Sequence, residues 1–463
     1  MILRMAWRSL AAHPIRTCVL GVGFGLGVSV MATLFGVGEV VLDQARAPGL
    51  SGGGDLLVSG AAGRISSARF VLGSLLDLGP GGSAVVVSPK RRANLYLVRP
   101  GKVVPVRAQA GVPSLERTLG DPETSAVAAW VDAPRDREWA APDHADALRA
   151  MDRFHPVPDV PARAASWAEW LYFKGQSGDV QFYVTFLVGP SRGDGRRTAG
   201  VRLQLDRGGR MTSYSEGAVV DERALLASAP DLTIGASRVR LEGLQYHVSL
   251  NLPESGGGTS GARAVGEILI KAAPGRSLAP LTLRGAGGWV SGYVVPVMSG
   301  ELSGSMRIGG ANVELRGLGY HDHNWGFWEG VSWRWGQVQH EGRSYVYGRV
   351  YPPPDAADPE RIPAFLVALD ESGVVGYASR VSIDETDDPV TGQPTRIVVE
   401  GRRGAFHLRM ELAVERAIVT PGGALAAGPD FLQLRARYHV TGEAGDAAVE
   451  FSAEGAAETF RSR

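Results

Sequence analysis

The sequence predicts a mainly β protein in which two consecutive antiparallel β-barrels follow one transmembrane helix and a small β module. Three observations support this fold class. Apolar and polar residues alternate in many short runs after Trp167, and turn-forming Gly and Pro number 62 and 28 in a chain of 463 residues. No helical period of useful length appears in the same region. Many short strands joined by turns are typical of antiparallel barrels and sandwiches.

The overall composition is that of a globular protein. Hydrophobic residues make up 44% and charged residues 21% of the chain, which excludes wholesale disorder. The 48 basic and 48 acidic residues give a formal net charge of zero, so we expect no nucleic-acid partner. The single cysteine, Cys18, excludes an internal disulfide framework and any cysteine-based zinc or iron–sulfur cluster.

Residues 1–44 are predicted to form a transmembrane anchor. An apolar run without charges extends from Thr17 to Gly38. Its roughly 22 residues, at about 1.5 Å each, would span about 33 Å, enough for a hydrocarbon core of about 30 Å. Arg4, Arg8 and Arg16 precede the run without any acidic residue, which predicts a cytoplasmic N-terminus. We therefore expect a single-pass protein of the bacterial inner membrane, with most of the chain outside the cytoplasm.

The same N-terminal segment has two further interpretations. Ala45-Arg46-Ala47 is similar to the cleavage site of a signal peptide, although the apolar run is longer than is usual there. Residues 1–17 resemble the first helix of permease subunits in the macrolide-export and lipoprotein-release transporter families. This resemblance implies an association with an export system, or a truncated permease subunit with a structural role. No second apolar run of about 18 residues follows, so transport activity does not carry over.

A small β module and a linker are expected between the anchor and the barrels. The extracytoplasmic module covers residues 45–119, because short strand-like runs occur there at Asp55–Ser59, Ser83–Ser88, Asn94–Val98 and Val103–Arg107. The linker covers residues 120–164, which are rich in Pro, Asp and Ala, with one helix expected around Ala141–Met151.

The two barrels are expected at residues 165–330 and 331–463. Period-two runs in the first occur at Glu169–Lys174, Val180–Val188, Val201–Leu205, Val239–Leu244, Tyr246–Leu252 and Glu267–Lys271. Those in the second occur at Ser344–Tyr351, Phe365–Leu369, Arg396–Glu400, His407–Leu412 and Leu432–Val440. Because side chains alternate between the faces of a strand, such runs indicate sheets with distinct faces.

The most informative stretch is residues 317–335, which holds four of the ten tryptophans and two histidines that flank an aspartate. If residues 319–325 form a strand, their side chains fall into two sets on opposite faces: Tyr320, Asp322 and Asn324, and His321, His323 and Trp325. A barrel lumen would receive one of these sets. A carboxyl group in an aromatic lumen has a raised pKa, so Asp322 could stay protonated and act as a general acid. Nearby aromatic faces could stabilise a carbocation.

Two other interpretations of this cluster compete. His321 and His323 share a face and could bind a metal ion, but no third ligand occurs at a convincing spacing. The whole cluster could instead be a hydrogen-bond network that closes the barrel and joins the two units. Glu169, at the start of a predicted strand, could pair with Arg334, pair with the histidines, or be a surface charge.

Residues 319–326, Gly-Tyr-His-Asp-His-Asn-Trp-Gly, resemble the signature of the carotenoid 1,2-hydratase (hydroxyneurosporene synthase) and AttH-like superfamily. Ala168–Gly175 resembles the first-strand motif of that superfamily, with Leu171 in place of a second consecutive Trp, and Phe182–Phe186 is similar to its next strand. The resemblance covers roughly residues 160–463. It implies two consecutive lipocalin-like barrels with a hydrophobic pocket.

The Tyr and Asp of this motif are thought to serve catalysis in the hydratase, and they match Tyr320 and Asp322. The implied reaction is protonation of a terminal isoprenoid double bond, followed by capture of the tertiary cation by water. Two positions depart from the family pattern, since His321 replaces a small residue and Leu171 changes the aromatic lining. Many AttH-like proteins have no assigned activity and occur beside transporter components, and the permease-like anchor favours that branch.

From these observations we expect a membrane-anchored, lipocalin-like protein that binds a lipophilic molecule, an isoprenoid or a lipid, in association with an export system. The alternative is a carotenoid 1,2-hydratase-like hydro-lyase in which Tyr320 and Asp322 are catalytic. The predicted ligand-binding residues are Trp170, Tyr172, His321, His323, Asn324, Trp325, Trp328, Trp333 and Trp335. Neither a metal ion nor a cofactor is expected.

Overall fold

The computed structural model describes residues 86–99, 102–136, 143–255, 262–273, 276–362, 364–370, 373–420, 431–445 and 447–461, together with positions 12, 15, 54, 56–58 and 139. The predicted anchor at residues 1–44 therefore lies outside the described residues, except for positions 12 and 15. Within the described part of the chain, no helix combines the length and the apolarity needed to cross a bilayer.

The chain divides into two compact units, of which the first contains residues 84–140. Its elements are the antiparallel strands β1 (Arg91–Arg99) and β2 (Lys102–Ala110) and the short helices α1 (Pro113–Thr118) and α2 (Pro122–Ser125). The two strands contain the runs predicted at Asn94–Val98 and Val103–Arg107. Lys90 joins the helices by ion pairs of 2.7 Å to Asp121 and 3.1 Å to Glu116.

Among the described residues of the second unit, helix α3 (His144–Met151) comes first and is followed by an antiparallel sheet of eleven strands. These strands are β3 (Trp167–Ser177), β4 (Val180–Ser191), β5 (Arg196–Arg207), β6 (Arg210–Asp221), β7 (Leu232–Ile234), β8 (Ser237–Glu242), β9 (Gln245–Pro253), β10 (Arg263–Lys271), β11 (Leu278–Arg284), β12 (Val290–Ile308) and β13 (Ala311–Phe327). Helix α4 (Glu222–Ser228) lies between β6 and β7. The strand order is β6-β5-β4-β3-β13-β12-β10-β9-β8-β7, with β11 paired to β12. A bridge between Tyr214 and Glu254 helps to bring this sheet close to a closed barrel.

A second antiparallel sheet follows directly in the chain and forms a half-barrel. Its nine strands are β14 (Ser332–His340), β15 (Arg343–Tyr351), β16 (Phe365–Asp370), β17 (Gly373–Ala378), β18 (Val381–Asp387), β19 (Pro394–Arg403), β20 (Phe406–Thr420), β21 (Phe431–Ala444) and β22 (Ala447–Phe460). Their order is β17-β16-β15-β14-β22-β21-β20-β19-β18. The predicted fold class, mainly β with two consecutive lipocalin-like antiparallel units, is confirmed.

The long hairpin β12–β13 positions the residues of the informative stretch. Ile308 pairs with Ala311, so the connecting loop is Gly309-Gly310, whose φ angles are +53° and +87°. Two-residue hairpin loops that match the twist of a sheet need positive φ at both positions, which glycine adopts without strain. Strand β13 then pairs with β3, with Asp322 opposite Tyr172 and Asn324 opposite Trp170.

The lumen of the first barrel is a packed aromatic core. Phe173, Phe182, Phe186 and Tyr246 are fully buried there. Part of the predicted linker also lies in this core, because Met151 and Phe154 pack against it and Asp152 is completely buried. These buried rings occupy the lumen at their height, and the cavity described below lies on the outer face of the sheet.

Candidate functional site

A cavity of about 660 Å³ lies between the outer face of the first barrel and the second sheet. Strands β3 to β6 and β13 supply one wall, and β14, β15, β21 and β22 supply the other. The aromatic residues that line it are Trp170, Tyr172, Trp328, Trp333, Trp335, Phe431 and Phe460. Several of these rings pack on one another, since Trp333 stacks on Phe460 at 3.9 Å and Trp170 lies 4.6 Å from Trp328. Polar and charged side chains, among them Arg202, Gln204 and Glu216, complete the lining.

Asp322 supplies a hydrogen-bonded carboxyl group to this cavity. Its Oδ2 accepts a hydrogen bond of 2.8 Å from the Tyr320 hydroxyl, and its Oδ1 accepts one of 2.7 Å from Nδ2 of Asn324. These three residues alternate along β13, so they share a face, as the sequence predicts. The Tyr320 oxygen also accepts a hydrogen bond of 2.7 Å from Nε1 of Trp335 in the second sheet. Both donors to the Asp322 carboxyl thus belong to β13, and Trp335 of the second sheet donates to the Tyr320 oxygen behind it.

Burial and a second carboxyl group both raise the pKa of Asp322. Burial raises the pKa of Asp322 well above its usual range, and the nearby charge of Glu458 raises it further, against the lowering effect of the Tyr320 hydrogen bond. Burial likewise raises the pKa of Glu458 to about 7. Two carboxyl groups that share one apolar site cannot both ionise easily. The raised pKa of the Asp322 carboxyl favours its protonated form, which is the form that can act as a proton donor.

A buried lysine lies beside these acids. Lys174 is opposite Tyr320 in the β3–β13 pairing, on the same face of β3 as Trp170 and Tyr172. Burial lowers the pKa of Lys174 to about 7, and only the charge of Glu458 acts in the other direction. The Lys174 amine and the Glu458 carboxyl therefore both change charge near neutral pH.

The structure separates the predicted site residues into two groups. The cavity is lined by Asp322 and by the predicted ligand-binding residues Trp170, Tyr172, Asn324, Trp328, Trp333 and Trp335. Tyr320 lies directly behind Asp322. His321, His323 and Trp325 instead face the lumen of the first barrel, where all three are buried. The set with Asp322 faces the space between the two sheets and not a barrel lumen, because the lumen is filled by the aromatic core.

The two lumen histidines belong to a fully buried polar network around Asp152. Asp152 Oδ2 accepts a hydrogen bond of 2.8 Å from the Tyr246 hydroxyl and lies 3.0 Å from His321 Nε2. Asp152 Oδ1 lies 2.8 Å from His323 Nδ1, and His323 Nε2 lies 2.9 Å from Glu169 Oε1. Of the alternatives for Glu169, the structure therefore selects the histidines, while Arg334 pairs with Glu385 at 2.6 Å.

This network extends from the lumen towards solvent. His155 Nδ1 lies 2.7 Å from Glu169 Oε1, and the His155 side chain is 37% exposed. Although burial alone would lower the pKa of His323, its hydrogen bonds to Asp152 and Glu169 raise it to about 9. The pKa values of Asp152 and Glu169 are correspondingly lowered by their imidazole partners, against the effect of burial. The network is therefore charged in the folded protein.

No protein-family model matches the chain, and no curated protein sequence matches it. Among solved structures, the chain is similar to a putative AttH (NE1406) from Nitrosomonas europaea, with 13% identity, a TM-score of 0.43, and coverage of 64% of this chain and 92% of that one. It is also similar to CghA in complex with Sch210972, with 13% identity, a TM-score of 0.42, and coverage of 64% and 88%. Likeness at this level says nothing about ligand or activity.

Four residues at these sites are missing from the sequence-based prediction. Lys174 carries a usable signal, since it follows Tyr172 by two positions in a predicted strand and so shares its face. No such sequence signal exists for Glu458, Asp152 and His155, because they are more than a hundred residues from Asp322 in the chain. Their positions follow from the pairing of β22 with β14 and from the packing of the segment after α3 into the first barrel.

Proposed function

We propose that the cavity between the two sheets binds a lipophilic molecule, an isoprenoid or a lipid, and that the chain is a lipocalin-like binding protein. The supporting observation is the set of seven aromatic residues that line a cavity of about 660 Å³. Small-molecule pockets usually have volumes of about 300–1,000 Å³ and are mostly apolar, with a few polar groups that orient the ligand. Here Asp322, Asn324 and Glu458 would orient it.

A variant that fills the cavity tests this proposal. Gly217 lines the cavity, and a Cβ atom added there would meet no heavy atom closer than 4.0 Å, so Gly217→Phe can be accommodated. Val374→Phe on β17 is a control with the same added ring at an exposed position. Lipids that co-purify with the wild-type protein and both variants are extracted and quantified by mass spectrometry.

We expect one lipophilic compound in near-stoichiometric amount with the wild-type protein and Val374→Phe. Gly217→Phe should retain at least about tenfold less, because a phenyl ring in the cavity competes for the same space and a tenfold loss needs only about 1.4 kcal/mol. The proposal is wrong if all three proteins carry the same background lipids in the same amounts.

A second candidate function is acid catalysis on the bound molecule. The observation in its favour is the buried Asp322 carboxyl, whose pKa is raised, which accepts a hydrogen bond from Tyr320 and which faces aromatic walls that can stabilise a cation. The chemistry would be that of a carotenoid 1,2-hydratase-like hydro-lyase: Asp322 transfers its proton to one carbon of a terminal double bond, and water adds to the resulting cation and returns a proton to the carboxylate.

Asp322→Asn separates the two candidate functions. If the protein is an enzyme, the variant binds an acyclic isoprenoid with a terminal double bond but forms no tertiary alcohol. If it is a binding protein, the wild-type protein forms no alcohol either, and the variant keeps its ligand. Loss of folding in the variant would instead indicate a purely structural role of the acid.

We also propose that residues 1–44 anchor the protein in the bacterial inner membrane and that it acts beside an export system. The charge-free run at Thr17–Gly38 and the arginines before it support this placement. Membrane fractionation of the full chain and of a chain that lacks residues 1–44 tests it. A full chain that is released from membranes by alkaline carbonate would contradict the anchor.

A further inference from the structure

Three side chains from separate elements converge at the end of the first barrel. His155 lies in the segment after α3, Glu169 lies at the start of β3, and His323 lies on β13. One imidazole nitrogen of each histidine and one carboxylate oxygen of Glu169 all lie within 4.8 Å of one another. Glu169 and His323 are completely buried, which is uncommon for such polar side chains.

We propose that His155, Glu169 and His323 form a binding site for a divalent transition-metal ion, with zinc as the preferred ion. Two imidazole nitrogens and one carboxylate oxygen are a donor set that zinc uses where three protein ligands leave a fourth position for water. This site is separate from the lipophilic cavity, because His323 and Asp322 lie on opposite faces of β13.

The His323 ring is held by a carboxylate in the way that is usual for histidine ligands of zinc. His323 Nδ1 lies 2.8 Å from Asp152 Oδ1, so the ring directs Nε2 at Glu169. Asp152 is itself fixed by the Tyr246 hydroxyl. A carboxylate on the outer nitrogen of a metal-binding histidine fixes its tautomer and makes it a better ligand. His321 is not a ligand, because its two nitrogens contact Asp152 and the carbonyl oxygen of Tyr172, each at 3.0 Å.

The spacing of the three donors suits an ion after a small expansion. Glu169 Oε1 lies 2.7 Å from His155 Nδ1 and 2.9 Å from His323 Nε2. Zinc bonds of about 2.0–2.1 Å in a tetrahedron place neighbouring ligand atoms about 3.3 Å apart. The Glu169 oxygen therefore has to move away from each of these two nitrogens by less than about 1 Å, and the ion replaces the protons that these atoms share.

His155 connects the site to solvent. The His155 side chain is 37% exposed and stacks on Trp325 at 4.2 Å, so its ring can rotate towards an incoming ion while the aromatic wall stays in place. The buried Arg197 guanidinium donates a hydrogen bond of 3.2 Å to the carbonyl oxygen of His155 and is electrostatically coupled to Glu169. The positive charge of Arg197 repels a bound cation. We therefore expect the site to bind zinc with an affinity near the micromolar range, which is weaker than the affinity of a structural zinc site.

Metal titration of the full chain tests the site. The purified protein is treated with a chelator, dialysed and titrated with Co²⁺ alone, whose visible absorption reports its coordination, and with Zn²⁺ in competition with a chromophoric chelator. We expect one equivalent of each ion, a four-coordinate cobalt spectrum, and a dissociation constant for zinc on the order of 1 µM.

His155→Ala and His247→Ala form a matched pair of variants. His155 is a proposed ligand whose half-exposed position should tolerate alanine. His247 lies on the outside of the first barrel, between Glu242 at 3.8 Å and Glu267 at 3.6 Å, and so represents an ordinary surface histidine beside carboxylates. We expect His155→Ala to weaken zinc binding by at least about tenfold, since changes in the outer shell alone cost about 10–100-fold. His247→Ala should bind as the wild-type protein does.

Three results would overturn the proposal. They are the absence of saturable one-to-one binding, equal affinity in His155→Ala and the wild-type protein, and loss of binding in His247→Ala. Circular dichroism of each variant verifies its fold. If Glu169→Gln, a second ligand variant, remains folded, it must also lose the four-coordinate cobalt spectrum.

Discussion

The Tyr320 hydroxyl donates a hydrogen bond of 2.8 Å to Asp322, two positions further along the same strand. The same hydroxyl oxygen accepts a hydrogen bond from Trp335, which belongs to the second sheet. One tyrosine therefore connects the candidate acid of the first sheet to the wall that faces it. Both hydrogen bonds are buried, so their loss would not be compensated by water.

Tyr320→Phe should destabilise the protein by about 1–3 kcal/mol, because it leaves the buried Trp335 Nε1 without an acceptor and Asp322 Oδ2 without a donor. Urea denaturation measures the free energy of unfolding. Tyr96→Phe, at an exposed tyrosine of β1, should change it by less than about 0.5 kcal/mol. Equal effects of the two variants would contradict the role of the Tyr320 hydroxyl.

Glu458 should make stability fall as the pH rises. Its pKa is about 7 in the folded protein against an ordinary value of 4.5, so the folded state binds the proton more tightly. Its stabilising contribution is complete below pH 4.5 and is lost between pH 4.5 and 7. The Glu458→Gln variant should not lose stability in this pH range, because glutamine does not ionise. At pH 8 the free energy of unfolding of the variant should exceed that of the wild-type protein by about 1–3 kcal/mol.

Unfolding curves at several pH values check this prediction. Glu450→Gln, at an exposed position of the same strand, should leave the pH dependence of the wild-type protein unchanged. Lys174→Met should move the loss of stability to higher pH, because the charge of Lys174 lowers the pKa of Glu458. A wild-type protein whose stability does not change between pH 4.5 and 8 would contradict the prediction.

Asp152→Ala should destabilise the protein by about 3–5 kcal/mol, since it removes the shared partner of His321, His323 and Tyr246 from a site without water access. Glu242→Gln provides the comparison, because Glu242 pairs with Arg240 at the surface, where such a pair contributes about 0–1 kcal/mol. Thermal unfolding measures both variants. A loss below about 1 kcal/mol in Asp152→Ala would show that the network does not stabilise the barrel.

Gly326→Ala should destabilise the protein by more than about 2 kcal/mol. Gly326 ends the motif that begins at Gly319, and it has a φ of +150°. A Cβ atom there would lie 2.7 Å from the backbone of Ser291 and from the carbonyl oxygen of Val290 on the neighbouring strand. Because backbone cannot yield as a side chain does, the clash adds to the conformational strain. Gly217→Ala is the control, because a Cβ atom there would meet no heavy atom closer than 4.0 Å. Equal denaturation midpoints of the two variants would contradict this explanation.

Much of the fold could be predicted from local patterns. The alternating runs at Glu169–Lys174 and Val180–Val188 lie inside β3 and β4, and the boundary expected near residue 330 falls between β13 and β14. Strand β12, with its small residues and two register shifts, has no clean alternation and was not predicted. Local pattern identifies strands where the sequence alternates at period two, even where both faces are buried as in β3, and it fails in β12, which has no such alternation.

Sequence alone established that Tyr320 and Asp322 share one face of a strand and that His321 and His323 share the other, because alternation is a property of any extended chain. It could not establish which face meets a cavity. That depends on how two sheets pack, which leaves space beside Asp322 and fills the lumen with Phe173 and its neighbours. Sequence alone also could not predict that Glu458 lies near Asp322 or that Asp152 contacts His323. Such pairs are formed by distant parts of the chain and not by any local period.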